Sequence, residues 1–395
     1  MLRNLLASVM RLQGAFNEAF ALDSEVLAEQ ERLFGSEHPH TLLSYLCLAG
    51  DLRGLGRFRD ALERDRESYE LHRRVYTEGD PPLLGAANNL AVNYRLLGDC
   101  YRAAELDQST YVQRRSVLGP QHPYTLYSSS NLARDLRDAG QYKQSTDLLR
   151  GALASYRDTV GENSPETLRT AKSLAVSLRK GGDLAESLAL ARDTFERYRT
   201  EFGPSNPDRQ SCALVYAAAL SAMEQHEQAR DLSIEVLASY EQQLGQQHPY
   251  TLCCVNNIAT YLRKLEYHDE ALATVQRAHS GFTTLLGQEH PYTLTAAGNV
   301  ANSLADTGEY DLAQEMEHTA ARTLAEVLRP NHPDVLAIES NRSISLTLLG
   351  ATSDARQLRS RIIAEMEVAL GPKHHNTRAA RDADRLDWDL EPQPI

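Results

Sequence analysis

Apolar residues recur along this chain with helical spacing, in a pattern that repeats every 42 residues. A proline marks the start of each unit, and His375 takes the place of the next one. The prolines are Pro39, Pro81, Pro123, Pro165, Pro207, Pro249, Pro291 and Pro333. Because no insertion interrupts the series, the chain is predicted to be one array of repeats rather than two or three unrelated domains.

Each unit predicts a hairpin of two helices. In the unit that starts at Pro249, the proline suits the first turn of a helix, and Leu252 and Leu262 follow with helical spacing. A glycine seventeen residues after the proline ends this first helix in most units, and Glu224 and Glu266 replace it in two. The second helix carries a small residue that lets the pair approach closely: Ala19, Ala61, Ala103, Ser145, Ser187, Ala229, Ala271, Ala313 and Ala355.

The first residues fit the same frame. Gly14, Phe16 and Ala19 stand at the places of the turn glycine, an aromatic residue and the small residue. The apolar start is therefore interpreted as a repeat without its opening turn, and not as a signal peptide. Such a repeat is expected to expose an apolar stacking edge, which suggests a fragment whose N-terminal partner domain is absent.

Two other architectures have periods near this length. A propeller is excluded because the period-two alternation of strands is missing, and HEAT repeats are excluded by the motif NNLAVNYRLLGDCYRAAEL at residues 88–106. That motif resembles the tetratricopeptide consensus, in a unit longer than the usual length of about 34 residues, which predicts a longer second helix. With its LGxxHPxTL linkers, the repeat resembles those of kinesin light chain. It is even more similar to the repeat regions that actinobacteria attach to STAND/NB-ARC-type NTPases.

The predicted fold class is all-α, a right-handed α-solenoid of stacked helical hairpins. Residues 1–380 are expected to form the array, with one incomplete repeat and eight complete ones. Residues 381–395 form an acidic cap or tail whose end, DRLDWDLEPQPI, is similar to that of tetratricopeptide proteins found with FxSxx-COOH peptide systems.

The only tryptophan of the chain, Trp388, lies in that tail. Counted from His375, it falls on a position that is apolar and core-forming in other repeats. One interpretation is that Trp388 ends a last short helix and seals the open edge of the solenoid. A second is that the acidic segment is a ligand held by a groove of the same or a neighbouring chain, and a third is plain disorder.

Composition narrows the class of protein. The apolar fraction of 42% and the charged fraction of 24% fit a soluble globular chain, and no apolar run is long enough to span a membrane. A formal net charge of -13 argues against nucleic-acid and anionic-membrane partners. The five cysteines include no CxxC pair, so free thiols in a reducing cytoplasm are expected.

No motif of a catalytic or cofactor-binding site is present, so we expect neither an enzyme nor a cofactor. One histidine per repeat precedes several of the prolines, at His38, His122, His248, His290 and His332. Equivalent atoms of stacked helices lie roughly 10 Å apart, whereas zinc ligands lie within about 2.3 Å of the metal. These histidines are therefore interpreted as turn residues, and no metal site is predicted.

The first helices carry two polar ladders on the face that lines the concave surface of tetratricopeptide arrays. Asparagine stands eight residues after the proline at Asn89, Asn131, Asn257, Asn299 and Asn341. Arginine stands fourteen residues after it at Arg53, Arg95, Arg137, Arg179 and Arg263, with Arg11 at the corresponding place of the first, incomplete repeat. An asparagine amide suits a peptide backbone, and a guanidinium suits a carboxylate. The resemblance to kinesin light chain implies that Asn89, Asn131, Asn257 and Asn299 hold the main chain of an extended peptide.

The candidate groove residues are Asn88, Asn89, Arg95, Asn131, Arg134, Arg137, Lys172, Arg179, Asn256, Asn257, Arg263 and Asn299. The alternative is that each asparagine bonds neighbouring helices and each arginine covers apolar surface with its stem. We expect a scaffold or sensor module of a larger bacterial system that binds acidic or carboxylate-terminated peptide segments. The alternative function is a scaffold that self-associates through its solenoid ends, with an idle groove.

Overall fold

The structure is a computed structural model that describes residues 2–393, all of whose regular elements are helices. The first helices of the hairpins are α1 (Leu2–Leu12), α3 (Pro39–Gly54), α5 (Pro81–Leu96), α7 (Pro123–Asp138), α9 (Pro165–Gly181), α11 (Pro207–Ser221), α13 (Pro249–Lys264), α15 (Pro291–Asp306), α17 (Pro333–Leu348) and α19 (His375–Asp382). The second helices are α2 (Phe16–Phe34), α4 (Phe58–Val75), α6 (Cys100–Leu118), α8 (Tyr142–Val160), α10 (Leu184–Glu201), α12 (His226–Gln243), α14 (His268–Leu285), α16 (Tyr310–Leu328) and α18 (Thr352–Ala369). This order confirms the predicted all-α array of helical hairpins.

The described chain divides into two compact units. Unit 1 comprises residues 2–177, 192–212 and 393, and unit 2 comprises residues 178–191 and 213–392. The predicted boundary between the array and a terminal segment at residue 380 remains a prediction.

The turn between the two helices of a hairpin requires a left-handed residue. Gly98 has a φ of 86° and Gly308 a φ of 89° at this position. Glu224 and Glu266 adopt the same conformation, with φ values of 62° and 65°. A residue with a Cβ takes this conformation at a cost of roughly 1–2 kcal/mol. The packing of the hairpin therefore imposes the turn even where glycine is missing.

Each hairpin closes around the small residue of its second helix. Ala61 and Ala103 in unit 1, and Ala271 and Ala313 in unit 2, have no exposed surface. In unit 1 the apolar side chains of α2, α3 and α4 pack together, with Tyr45 in their midst. In unit 2 a corresponding cluster joins α13 to α16 around Val300. The second helices are 18 or 19 residues long, as the extended period predicts.

The histidines that precede the prolines cap the first helices. The Nδ1 atom of His122 accepts the backbone N–H of Tyr124 at 3.2 Å, and that of His290 accepts the N–H of Tyr292 at 3.1 Å. Such a cap satisfies one of the donors that a helix N-terminus leaves open. Among residues 2–393 there is no cluster of three or more side chains suited to hold a metal ion. None of the helices described there is long and apolar enough to cross a membrane.

Candidate functional site

The segment from Asp384 to Gln393, called the tail below, is extended and follows the last helix. Helix α19 ends at Asp382, and Ala383 turns the chain with a left-handed φ of 64°. The interpretation of Trp388 as the end of a last helix is therefore wrong, because the helix stops six residues earlier. The chain leaves the helical path before Trp388, so the frame of the repeat no longer applies to it.

The two leucines and the tryptophan of the tail are buried, and they alternate along it. Leu386, Trp388 and Leu390 retain 7%, 5% and 5% of their surface. In an extended chain every second side chain points to the same face. The tail therefore lies with one face against unit 2.

Three asparagines each bind both the N–H and the carbonyl of one of these three residues. The Oδ1 atom of Asn341 accepts the N–H of Leu386 at 2.8 Å, and its Nδ2 donates to the carbonyl of Leu386 at 2.7 Å. Asn299 makes the same pair with Trp388 at 3.0 and 2.9 Å. Asn257 repeats it with Leu390 at 2.8 and 3.0 Å. Each amide acts as one peptide group of a neighbouring strand would, and three successive first helices supply one amide each.

Additional donors reach the carbonyls of the tail. The Nδ2 of Asn256 donates to the carbonyl of Trp388 at 2.9 Å, and that of Asn302 donates to the carbonyl of Leu386 at 2.7 Å. The hydroxyl of Tyr292 donates to the carbonyl of Glu391 at 2.9 Å. Buried carbonyls need hydrogen-bond partners, and these bonds replace the ones that water would otherwise make to the backbone of the tail.

The acidic side chains between the buried residues meet basic side chains of unit 2. Arg263 binds both carboxylate oxygens of Asp387, at 2.9 and 2.8 Å, and the ammonium of Lys264 lies 3.1 Å away. Burial alone would raise the pKa of Asp387, but these two cations hold it well below its usual value. This paired fork is the strong form of an arginine–carboxylate contact.

The next two acids share one arginine. Arg179 binds Asp389 at 3.0 Å and also forms an ion pair with Glu391. Burial and the neighbouring Glu391 raise the pKa of Asp389, while Arg179 opposes that rise. The guanidinium thus serves two carboxylates that would otherwise repel each other.

At the start of the tail the charges are reversed. Arg385 donates to the buried carboxylate of Glu317 at 2.7 Å, to the hydroxyl of Ser345 at 2.7 Å and to the Oδ1 of Asn302 at 3.2 Å. Burial raises the pKa of Glu317, and Arg385 is the cation that most opposes this rise. The tail therefore carries a positive charge to an acidic site as well as negative charges to basic ones.

The indole of Trp388 rests on a helix position that has no side chain. A Cβ placed on Gly298 would lie 2.7 Å from the ring, and the three heavy atoms nearest to it would all belong to Trp388. The absence of a side chain at Gly298 on α15 thus creates the space that the largest side chain of the tail fills.

The predicted candidates fall into two groups. Asn256, Asn257, Asn299, Arg179 and Arg263 contact the tail in unit 2. In unit 1, Arg137 contacts Gln393 at 3.5 Å and Asp138 at 3.0 Å.

The other candidates lie in unit 1 and bond to the solenoid itself. Asn88 donates to Asp107, and the buried guanidinium of Arg95 pairs with Asp135 at 2.6 Å. Lys172 pairs with Asp208 at 2.9 Å. The remaining candidates are Asn131, which bonds to Arg134, Arg134, which also donates to Ser173, and Asn89, which is half-buried on α5.

Several residues that hold the tail were not among the candidates. Asn341 belongs to the asparagine ladder, and Lys264 follows Arg263 of the arginine ladder, so the sequence pattern pointed to both. Asn302 lies one turn after Asn299, a spacing that places both on one helix face. Glu317 lies on a second helix, and no pattern in the first helices points to it.

Sequence comparison gives the family. A model described as Tetratricopeptide repeat matches residues 1–74, 83–158, 128–200, 209–284 and 252–318, which is well over half of the chain. The chain belongs to the tetratricopeptide repeat family. This confirms the repeat type predicted from the sequence, and the matching family is not a catalytic one. A comparison with curated protein sequences finds no match.

The solved structures of a Rap protein and of NprR share the fold of this chain. The Rap protein complexed with competence and sporulation factor is 12% identical, with 93% of this chain and 98% of that chain covered, at a TM-score of 0.68. The apo form of the quorum sensor NprR from B. thuringiensis is 13% identical, with coverage of 92% and 97% and a TM-score of 0.56. The putative kinesin light chain repeats of Podosopora anserina are 24% identical over 52% of this chain and 97% of that chain, at a TM-score of 0.41.

Proposed function

We propose that this tetratricopeptide protein is a peptide-binding scaffold or sensor whose unit 2 binds extended acidic segments. The observation that carries the proposal is the set of reciprocal bonds that Asn257, Asn299 and Asn341 make to alternate residues of the tail. Backbone bonds of this kind hold an extended peptide of many sequences, and side-chain pockets then select among them. The tail is one such segment, held within its own chain.

Charge supplies the preference for acidic ligands. The protein as a whole is acidic, yet Arg179, Arg263 and Lys264 come together where Asp387, Asp389 and Glu391 lie. A ligand without carboxylates at these positions removes the acidic partners of the buried Arg179 and leaves Arg263 with Asp306 alone, which is costly. The same face therefore rejects neutral peptides as well as binding acidic ones.

A tail that occupies this face competes with any ligand from outside. A tethered segment acts at an effective concentration in the millimolar range for short flexible connections. An external peptide therefore binds by displacing the tail, and binding is coupled to its release. Such coupling suits the sensor part of a larger bacterial signalling or peptide-processing system. The similar fold of the quorum sensor NprR and of a Rap protein complexed with competence and sporulation factor supports this proposal.

The test uses a labelled peptide, DRLDWDLEPQ, and fluorescence polarisation with the full chain. In a full-chain Trp388→Ala variant, whose own tail is weakened, we expect the peptide to bind at least about tenfold more tightly than in the wild type. Replacing the three acidic residues that match Asp387, Asp389 and Glu391 by their amides should abolish this binding. An unchanged polarisation signal with the Trp388→Ala variant, at every concentration up to millimolar, rejects the proposed function.

Matched arginine variants locate the site. In the Trp388→Ala background, Arg263→Ala removes the bidentate partner of the acidic residue and should weaken the peptide by at least about tenfold. Arg277→Ala is the control, since Arg277 pairs with Glu241 on the surface of unit 2 and has no contact with the tail. An equal loss of peptide affinity in the two variants would show that the peptide does not bind at Arg263.

A second candidate function is self-association through α1. Leu2, Leu5, Leu6, Val9 and Leu12 are each about half or more exposed on this helix. Contiguous apolar surface of this kind is typical of interaction sites. Light scattering over a range of concentrations tests it: a mass that stays constant rejects self-association, and Leu5→Lys should dissolve any oligomer that forms.

A further inference from the structure

The hairpin that begins at Pro291 lacks the usual arginine of the repeat frame. Alanine stands at this place as Ala305, fourteen residues after Pro291, although the second helix of the same hairpin keeps an acid, Glu317. In unit 1 the corresponding residues of one hairpin are Arg53 and Asp65, which form a buried ion pair at 2.7 Å. The hairpin that contains Glu317 therefore has the acidic residue of this ion pair but not the arginine.

The tail supplies that base. Arg385 reaches Glu317 at 2.7 Å, and the side chains of this pair keep only 9% and 0% of their surface. The guanidinium also donates to Ser345 and Asn302, so that three acceptors surround it. A buried carboxylate without a cation is expensive, and an arginine fork is well suited to such a polar cage.

We propose that Glu317, Ser345 and Asn302 form a selectivity site for the guanidinium of a bound peptide, an assignment that rests on the function proposed above. The ligand class is then narrower than an acidic peptide. It is an extended segment in which an arginine precedes the first of several alternating acidic residues by two positions, as in Arg385-Leu386-Asp387.

The guanidinium site at Glu317 fixes the direction and register of the peptide, which the asparagines alone do not. Asn257, Asn299 and Asn341 bind backbone, so a shift of the peptide by two residues would leave their bonds intact. The same shift would bring an aspartate or a neutral residue to Glu317 and separate Asp387 from Arg263. Opposite charges at the two ends of the segment thus admit one register of one orientation.

The first test follows the docking of the tail in the full chain. Trp388 is the only tryptophan, so its emission reports whether the indole is buried or in water. Arg385→Glu should shift the emission to longer wavelength, as should Arg385→Gln to a smaller extent, whereas Arg385→Lys should retain most of the wild-type spectrum. Arg381→Gln is the control, because Arg381 pairs with Glu367 outside the tail.

A charge exchange then identifies the partner. Glu317→Arg alone should release the tail, and Glu317→Arg combined with Arg385→Glu should restore the emission of the buried indole. Circular dichroism establishes that the Glu317 variant is folded. Should it fail to fold, Arg385→Glu with Glu317→Gln serves instead, and docking should then recover in part. Emission that stays at the wild-type wavelength in Arg385→Glu overturns the assignment.

The binding of added peptides tests the selectivity site and the proposed function separately. In the full-chain Trp388→Ala variant, the labelled peptide DRLDWDLEPQ should bind about 10- to 100-fold more tightly than the same peptide with glutamate in place of arginine. Equal binding of the two peptides rejects the selectivity site and leaves the proposed function standing. Binding of neither peptide rejects the proposed function, and the selectivity site for external ligands with it.

Discussion

The arginine that lies fourteen residues after the anchor proline has opposite roles in the two units. In unit 1, Arg11 pairs with Asp23 and Asp51, and Arg95 with Asp135, and the three aspartates are buried within the solenoid. In unit 2, Arg179 and Arg263 pair with acids of the tail. The same residue in the same frame therefore stabilises the array in one unit and holds an extended segment in the other.

The neighbouring positions explain the difference. Behind Arg11, Arg53 and Arg95 the second helix carries an aspartate: Asp23, Asp65 and Asp107. Behind Arg179 and Arg263 the same position carries Ala191 and Val275. Arg263 keeps one carboxylate of the solenoid, Asp306 at 2.8 Å, and both Arg179 and Arg263 gain carboxylates from the tail. The arginines that pair with the tail are those whose second helix lacks the aspartate.

The largest expected effect is on the free energy of unfolding, which should fall more when an arginine that pairs within the solenoid is replaced than when one that pairs with the tail is replaced. Arg95→Ala leaves Asp107 and Asp135 buried without their cation and should lower the free energy of unfolding by about 3–5 kcal/mol. Arg263→Ala should cost less, because Asp387 can leave with the tail and become hydrated. Thermal unfolding by circular dichroism measures both variants. Equal losses would show that the tail is as much a part of the core as the aspartates of unit 1.

The buried carboxylates of unit 1 also predict a dependence of stability on pH. Burial, together with the nearby Asp23, raises the pKa of Asp51 to about 7 against the pull of Arg11, and Cys47 lies close by. Since the folded pKa exceeds the unfolded one, this contribution is complete below about pH 4 and is lost as the pH rises to about 7.

Asp51→Asn should therefore reduce the loss of stability between these pH values. Asn93 stands at the same position of the next repeat, so asparagine is accepted there. Melting temperatures at pH 5 and pH 8 give the comparison. A pH dependence in Asp51→Asn as steep as in the wild type contradicts the assignment of the effect to the raised pKa of Asp51.

In unit 2 the sign is opposite. Arg263 and Lys264 hold the pKa of Asp387 below its usual value, so this ion pair stabilises the docked tail above about pH 4 and is lost as the pH falls below that value. We expect the emission of Trp388 to shift to longer wavelength on acidification, before the helices unfold. Asp387→Asn should show the shifted emission already at neutral pH.

A change at Gly298 should release the tail without harming the helix. Alanine is favoured over glycine in a helix by about 1 kcal/mol, while its Cβ would collide with the indole of Trp388. Gly298→Ala should therefore keep or raise the melting temperature and weaken tail docking by at least about tenfold, which the emission of Trp388 reports. The matched control is Gly151→Ala on α8, where a Cβ meets open space. Buried emission in Gly298→Ala contradicts the role of this glycine.

The smallest expected effect is the loss of one asparagine. Asn299→Ala removes the pair of bonds to Trp388, each worth about 0.5–1.5 kcal/mol, and should weaken docking by about tenfold. Asn302→Ala should have a smaller effect on backbone binding, since Asn341 also donates to the carbonyl of Leu386. A larger loss at Asn302 than at Asn299 would contradict this order.

Much of the site was contained in the periodic pattern. The asparagines at a fixed distance from the proline were predicted to hold a peptide backbone, and in unit 2 Asn257 and Asn299 bond to the backbone of the tail. The pattern did not distinguish Arg95 from Arg263, although the aspartates that separate them were readable at Asp107 and Asp135. The ladder shows which side chains share a face. Whether such a side chain pairs within the solenoid or with the tail depends on its neighbours on other helices.

The sequence by itself determined the fold, because most repeats carry the same three local signals: a proline that begins a helix, a glycine that reverses the chain and a small residue where two helices meet. Each signal acts over only a few residues, but its repetition every 42 residues specifies the whole array. The place of Trp388 was decided only by the tertiary structure. The frame assigned it to a helix, but its position depends on an empty surface at Gly298 and on charges from three helices far away in sequence. Such contacts join residues that no local pattern connects.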